Sequence, residues 1–266
     1  MPTREAPLPR RWNWLIWAFR RYAVRFVRKH FHAVRLSKAG APFPVTDEPI
    51  LVVLNHPSWW DPMIGIVLSR ELNPRDQFAA IDAVAVEQYR FFKRLGFVGV
   101  DQHSLRGAAS FLRTGAALLS EPRRAFWVTA QGRFADARER PLALQPGVGH
   151  LAARMTHGRV IPVALEYAFW TERTPEALVR LGAPLNVADH ANLTGKQWLA
   201  LIEGALTSAL DALNAEAMAR DPAAFRTLLD GRTGVGGVYD WWRRVKARVR
   251  GERFDPAHAP EGDRPA

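Results

Sequence analysis

The pattern of apolar and polar positions changes period several times along the chain, and each change marks an element. Between Arg10 and Arg35, Trp12, Leu15, Ile16, Phe19, Tyr22, Phe26 and Val27 recur at steps of three and four, the period of one helix face. Arg11, Arg21, Arg25, Arg28 and His32 follow the same spacing on another face, which predicts a basic amphipathic helix. Pro42, Pro44 and Pro49 punctuate a linker. Ile50 to Leu54 is short, continuous and apolar, as a buried strand is. Further strands are predicted at Gln77 to Ile81, Phe97 to Val100, Ala125 to Val128, Val160 to Tyr167 and Ala177 to Leu181. Helices are predicted at Asp61 to Arg70, Val86 to Leu95, Ser104 to Leu119 and Pro146 to Thr156. A polar, arginine-rich loop runs up to Pro141, and Leu193 to Met218 and Pro222 to Leu229 read as closing helices. Strands alternating with helices predict an α/β fold, a mixed central sheet flanked by helices behind an N-terminal amphipathic segment.

Charge changes this picture because it is unevenly spread. The 266 residues carry 37 Lys and Arg against 26 Asp and Glu, a net charge of +11. Residues 1–40 hold +9, residues 41–238 are neutral, residues 239–253 hold +4 and residues 254–266 hold −2. Four regions follow: basic amphipathic helices at 1–40, an α/β body at 41–238, a basic Trp-containing helix at 239–253, and a Pro-rich disordered tail at 254–266. Five of the ten tryptophans fall in the two basic segments, and indole rings favour the headgroup level of a bilayer. Basic amphipathic helices with Trp and Phe fit an anionic membrane surface. The expected location is the cytoplasmic face of a membrane, peripheral or monotopic. A helix packed on its own domain and a nucleic-acid arm are the alternatives. The large apolar residues between the arginines speak against nucleic acid. The longest apolar run near the start, Trp12 to Phe19, has eight residues, far below the roughly 20 that a spanning helix needs. With no cysteine, disulfides, thiolate catalysis and cysteine-liganded metals are excluded.

Candidate chemistry lies where α/β sheets usually carry it, just beyond the carboxyl ends of strands. Asn55-His56-Pro57-Ser58-Trp59-Trp60-Asp61 follows the first strand of the body. A histidine there, with a carboxylate five residues on, can act as a general base and its orienting partner. His258 and Asp263 share the spacing but lie in the Pro-rich tail with no strand before them. Ser58 lacks a G-x-S-x-G elbow. Gly147 to Ala152 matches a dinucleotide fingerprint in form, without the strand that should precede it. His150 and His157 have no third ligand at metal spacing, so no metal site is expected.

Asn55 to Asp61 resembles the N-H-x-S-x-x-D block of the glycerolipid acyltransferase family, which includes the lysophosphatidic acid acyltransferases. Leu95 to Asp101 is similar to its second block, Ala130-Gln131-Gly132-Arg133-Phe134 falls at its third, and Val160 to Ala164 is similar to its fourth. The resemblance covers about residues 50–185. It implies transfer of a fatty acyl group from acyl-CoA or acyl carrier protein to a lipid hydroxyl, with His56 as base and Asp61 as its partner. No resident cofactor or covalent acyl-enzyme is implied. Asn55, Ser58, Gln131, Gly132 and Arg133 would bind substrate, with Arg106 able to reach in from the next helix. The family's acceptor-binding arginine and glutamate positions are here Gln102 and Gln131, which supply hydrogen bonds but no charge. The expected acceptor is therefore a glycolipid, lipid alcohol or other hydroxylated lipid rather than lysophosphatidic acid; the alternative is that Arg133 or Arg106 replaces the family's arginines and preserves phosphate binding. Two alternatives stay open: a non-catalytic lipid-binding relative, and a nucleic-acid-binding protein.

Overall fold

A computed structural model describes residues 8–72 and 74–234. The basic segment at 239–253 and the tail lie outside the described residues. In chain order the elements are α1 (Asn13–His30), β1 (Ala33–Ser37), β2 (Ile50–Leu54), α2 (Asp61–Leu68), β3 (Asp76–Asp82), α3 (Ala83–Gln88) and α4 (Phe92–Leu95). Then come β4 (Phe97–Val100), α5 (Leu105–Leu119), β5 (Arg124–Thr129), α6 (Pro146–Ala152), β6 (Arg159–Ala168), β7 (Glu176–Leu181), β8 (Leu185–Asn186), α7 (Gly195–Ala219) and β9 (Phe225–Asp230).

Among the described residues these strands form a nine-stranded mixed sheet in the order β4-β3-β5-β2-β6-β7-β1-β9, with β8 pairing β6. The run from β4 to β6 is parallel, β7 is antiparallel to β6, β1 is parallel to β7, and β9 is antiparallel to β1. Its central strand β2 is buried along its whole length, which is why its sequence is an unbroken apolar run rather than an alternation. Leu51 and Val53 join Leu118, Leu151 and Leu206 of α5, α6 and α7 in one core. Ile50, Val52 and Leu54 join Val27 and Ile64 of α1 and α2 in the other. The period of two along one strand thus supplies both cores.

Helix ends follow local chemistry. Thr194 and Gln197 close α7 with a reciprocal capping box, and Ser104 caps α5 through the Gly107 N–H. Three elements depart from the sequence-based expectation. Helix α1 stops at His30, not Arg35, and the chain continues as β1. The helix expected from Val86 to Leu95 is two short helices, α3 and α4. Pro222 to Leu229, expected as a helix, is a three-residue 3-10 turn followed by strand β9. Phe225 and Leu229, its buried residues, are four apart, a spacing that puts two side chains on one face of a helix and of a strand alike.

Helix α1 lies across α2 and α4, with the Trp12 N–H donating to the Arg94 carbonyl at 2.9 Å. Only Ala23 and Val27 of α1 are fully buried, while Trp14 and Trp17 are 65% and 62% exposed. Among the described residues no helix is long and apolar enough to cross a membrane.

Candidate active site

The carboxyl ends of β2 and β5 lie side by side, with Leu54 opposite Thr129, and the chain leaves both toward the same edge. The Ala130 N–H donates to the Leu54 carbonyl at 2.9 Å, extending the pairing past β5. Next along each chain stand His56 and the Gln131-Gly132-Arg133-Phe134 segment. Gln131 joins them: its Oε1 accepts from the His56 N–H at 2.8 Å, and its Nε2 donates to the Leu142 carbonyl at 3.0 Å.

His56 Nδ1 is 2.5 Å from Asp61 Oδ2. Asp61 opens α2 and is 2% exposed. The turn that returns the chain to it is held by the Ser58 N–H, which donates to the same Oδ2 at 3.2 Å, and by Ser58 Oγ, which accepts from the Trp60 N–H at 3.2 Å. The other oxygen, Oδ1, accepts from the Tyr167 hydroxyl at 2.6 Å. Burial and the Asp61 charge push the Tyr167 phenol well above its ordinary value, so it stays protonated as the donor. A carboxylate can only accept, so the His56 proton sits on Nδ1 and leaves Nε2 as the free base of the ring.

Asn55 is 1% exposed. Its side chain is engaged at both ends by the Leu165 backbone, donating to the carbonyl at 2.9 Å and accepting from the N–H at 2.8 Å. This bracket locks the end of β2 to β6 immediately before His56. Asn55, Ser58 and Gln131 stand behind the site, not on its wall. Arg106 is exposed on the first turn of α5 and likewise does not reach the cleft. Gly132 and Arg133 do line it. Gly132 has φ +66°, a left-handed conformation that favours glycine, and a Cβ there would meet the movable end of the Gln102 side chain.

The cleft has a volume of about 950 Å³. His56 and Asp61 lie on its wall beside Gly132, Arg133 and Gln145, and the rest is mainly apolar, with Ile16 and Phe19 of α1, Met63 and Ile66 of α2, and Phe92 of α4. Phe134 stands with its ring centroid 4.5 Å from that of His56. Sequence reasoning gave no site role to Tyr167, to Phe134, which ends the third-block segment, or to Gln145. Tyr167 had a signal, as the last residue of a predicted strand, but nothing in the sequence showed that this strand lies beside β2.

A base held by a buried carboxylate at the edge of an apolar cleft can deprotonate a hydroxyl next to a long apolar substrate. Residues 17–166, more than half of the chain, match the family model Acyltransferase, and the chain belongs to this family of glycerolipid acyltransferases. Its class of activity is therefore acyl transfer. No curated protein matches the chain.

Proposed function

We propose that this protein transfers a fatty acyl group from acyl-CoA or acyl carrier protein to the hydroxyl of a lipid at a membrane surface, with His56 as general base. The observation that carries this reading is the 2.5 Å contact between His56 Nδ1 and Asp61 Oδ2 on the wall of the apolar cleft. In this route Nε2 takes the acceptor hydroxyl proton as the oxygen attacks the thioester carbonyl carbon. A C–O bond forms, the C–S bond then breaks, and the proton on Nε2 passes to the leaving thiolate. The products are an ester and a free thiol, and the histidine is returned neutral. Asp61 stabilises the transient imidazolium. The thioester is a co-substrate, and no resident cofactor takes part.

An uncharged, hydroxyl-bearing acceptor suits the surroundings better than a phosphate. Arg133 is engaged by Glu139, Arg138 by Asp136 and Arg140 by Asp211, so each of these loop arginines already faces a carboxylate. Asp101, on the cleft wall, is held below the usual carboxylate range by hydrogen bonds from the Ser104 hydroxyl and the His103 N–H. It adds a negative charge to a cleft wall that also carries Arg11, Arg20 and Arg133.

Membrane binding through α1 is supported by exposed Trp14 and Trp17 together with Arg21 stacked over Trp17 and Arg94 over Trp12. Each Lys or Arg near an anionic surface contributes about 1 kcal/mol. Acyl-CoA and acyl carrier protein as donors put the site on the cytoplasmic face.

The test uses the purified full chain with palmitoyl-CoA or palmitoyl-acyl carrier protein. Anionic vesicles carry a monoacylglycerol, a glycosylated lipid or lysophosphatidic acid. Thiol release should be fastest with an uncharged acceptor and should vanish in His56→Ala. Absence of turnover with every acceptor overturns the reading, and a preference for lysophosphatidic acid overturns its acceptor class. Failure to float with the vesicles removes the membrane partner.

A further inference from the structure

Asp61 has two carboxylate oxygens, and His56 uses only one of them. The other accepts the Tyr167 hydroxyl at 2.6 Å, across 106 residues of chain. The geometry behind this contact is firmly built. Strand β6 pairs directly with β2, with Leu54 opposite Val163. The Asn55 bracket to the Leu165 backbone fixes the height of β6 two residues before Tyr167. With a period of two, Leu165 and Tyr167 share a face. Leu165 is buried in the core under α1 and α2, and Tyr167 packs against that core with its ring 5.7 Å from Phe31. The tyrosine therefore has little freedom to leave Asp61.

We propose that Tyr167 is a positioning residue for the acyl-transfer base. Its hydroxyl holds Oδ1, so that the carboxylate cannot rotate and Oδ2 stays in line with His56 Nδ1. The same hydrogen bond draws part of the carboxylate charge toward Oδ1 and moderates the pull of Asp61 on the imidazolium. Other ionisable groups around the motif include His30 of α1, whose ring lies 5.3 Å from that of Trp60, and, on the cleft wall, Arg20, Asp101, His150 and Arg133, the last paired with Glu139.

The proposal rests on the His56 reading above, and the experiment separates the two. Tyr167→Phe keeps the ring and removes only the hydroxyl. With palmitoyl-CoA and the best acceptor from the vesicle series, kcat should fall about tenfold, the worth of one hydrogen bond to a charged group, while KM stays unchanged. The acidic limb of kcat/KM should move up by about half a pH unit, because an unmoderated Asp61 keeps the imidazole protonated to higher pH. In an Asp61→Asn background, Tyr167→Phe should add nothing, since its effect passes through that carboxylate. Thermal unfolding of each variant gives its folded fraction, to which the position of the pH limb is insensitive. An unchanged kcat and pH limb in Tyr167→Phe, with His56→Ala inactive, overturns the role of Tyr167 alone. An equal loss in both backgrounds overturns it too, in favour of a structural role. Full activity of His56→Ala would overturn the general-base reading itself.

Discussion

The two halves of the sheet are built in different ways. From β4 to β6 the strands are parallel, and α2, α5 and α6 each follow a strand in the chain. The outer half, β7, β1 and β9, is gathered from residues 176–181, 33–37 and 225–230. It is fastened by Arg35, which donates to Glu176 at 2.9 Å and to Thr227 at 3.2 Å and stacks over Trp170. The first half presents strand ends, and hence chemistry, along one edge. The second half anchors α1, because β1 follows that helix after only Phe31 and His32. The candidate site and the anchoring of α1 thus fall to different parts of one sheet.

Removing the base in the first half should separate these tasks most sharply. His56→Ala is expected to lower turnover by about a thousandfold, with a much smaller loss of unfolding free energy, about 1 kcal/mol, because the buried Asp61 Oδ2 loses one partner and keeps the Ser58 N–H. Turnover assays and chemical denaturation on the same preparation read both effects.

Breaking the outer half should do the reverse. Glu176→Leu leaves the Arg35 guanidinium unpaired at a site where the two side chains are 10% and 3% exposed. A loss of about 3 kcal/mol is expected, with turnover per folded molecule unchanged. A matching loss of kcat would show that the halves are not independent.

Asn55 bridges this division, because it belongs to the reacting edge yet touches only backbone. Asn55→Leu strands a buried N–H and carbonyl of Leu165 and is expected to cost about 2 kcal/mol. It should also lower kcat, because β2 and β6 would lose their relative height beside His56. Denaturation and kinetics should therefore move together here, unlike in the two preceding variants.

The smallest expected effect comes from the neighbour of Tyr167. Successive residues of a strand face opposite ways: Tyr167 turns to Asp61, while Glu166 accepts from Asn214 of α7 at 2.7 Å. Burial pushes the Glu166 carboxyl up from its ordinary 4.5. A raised value means that the folded state holds the proton more tightly than the unfolded chain. Its contribution to stability is full below about pH 4.5 and is lost as pH rises through the folded value. Glu166→Gln should flatten this slope by less than about 1 kcal/mol, read as thermal midpoints between pH 4.5 and 7, and leave kcat in place.

Legibility followed the distance between interacting residues along the chain. His56 and Asp61 are five apart on one turn, so strand, turn and helix start could be read together. The run Phe97–Val100 was placed to the residue, and the helix expected from Ser104 to Leu119 is α5, Leu105–Leu119, with Ser104 as its cap. Arg35 was read as the end of the amphipathic helical stretch, yet it is 8% exposed inside the sheet. No glycine or proline stands between His30 and β1, and pairing with β7 and β9 is what turns that stretch from helix to strand. Gln131 and Asn55 were singled out as site residues, but their position behind the wall depends on backbone groups 11 and 110 residues away.

By itself the sequence determined the alternation of strands and helices, the His56–Asp61 turn and the concentration of positive charge and tryptophan at two segments. These depend on propensity, period and short spacings, which act within a few residues. Only the tertiary structure decided that β6 lies beside β2, that Tyr167 reaches Asp61, that three loop arginines are engaged by carboxylates, and that β1 and β9 complete the sheet. Of the loop pairs, Arg140 with Asp211 joins residues 71 apart, whereas Arg133 with Glu139 and Arg138 with Asp136 are 6 and 2 apart. The strand contacts turn on which strands become neighbours. Hydrogen-bond partners and buried surface are shared across the whole chain, so that choice is made by the fold as a unit and not by any one segment.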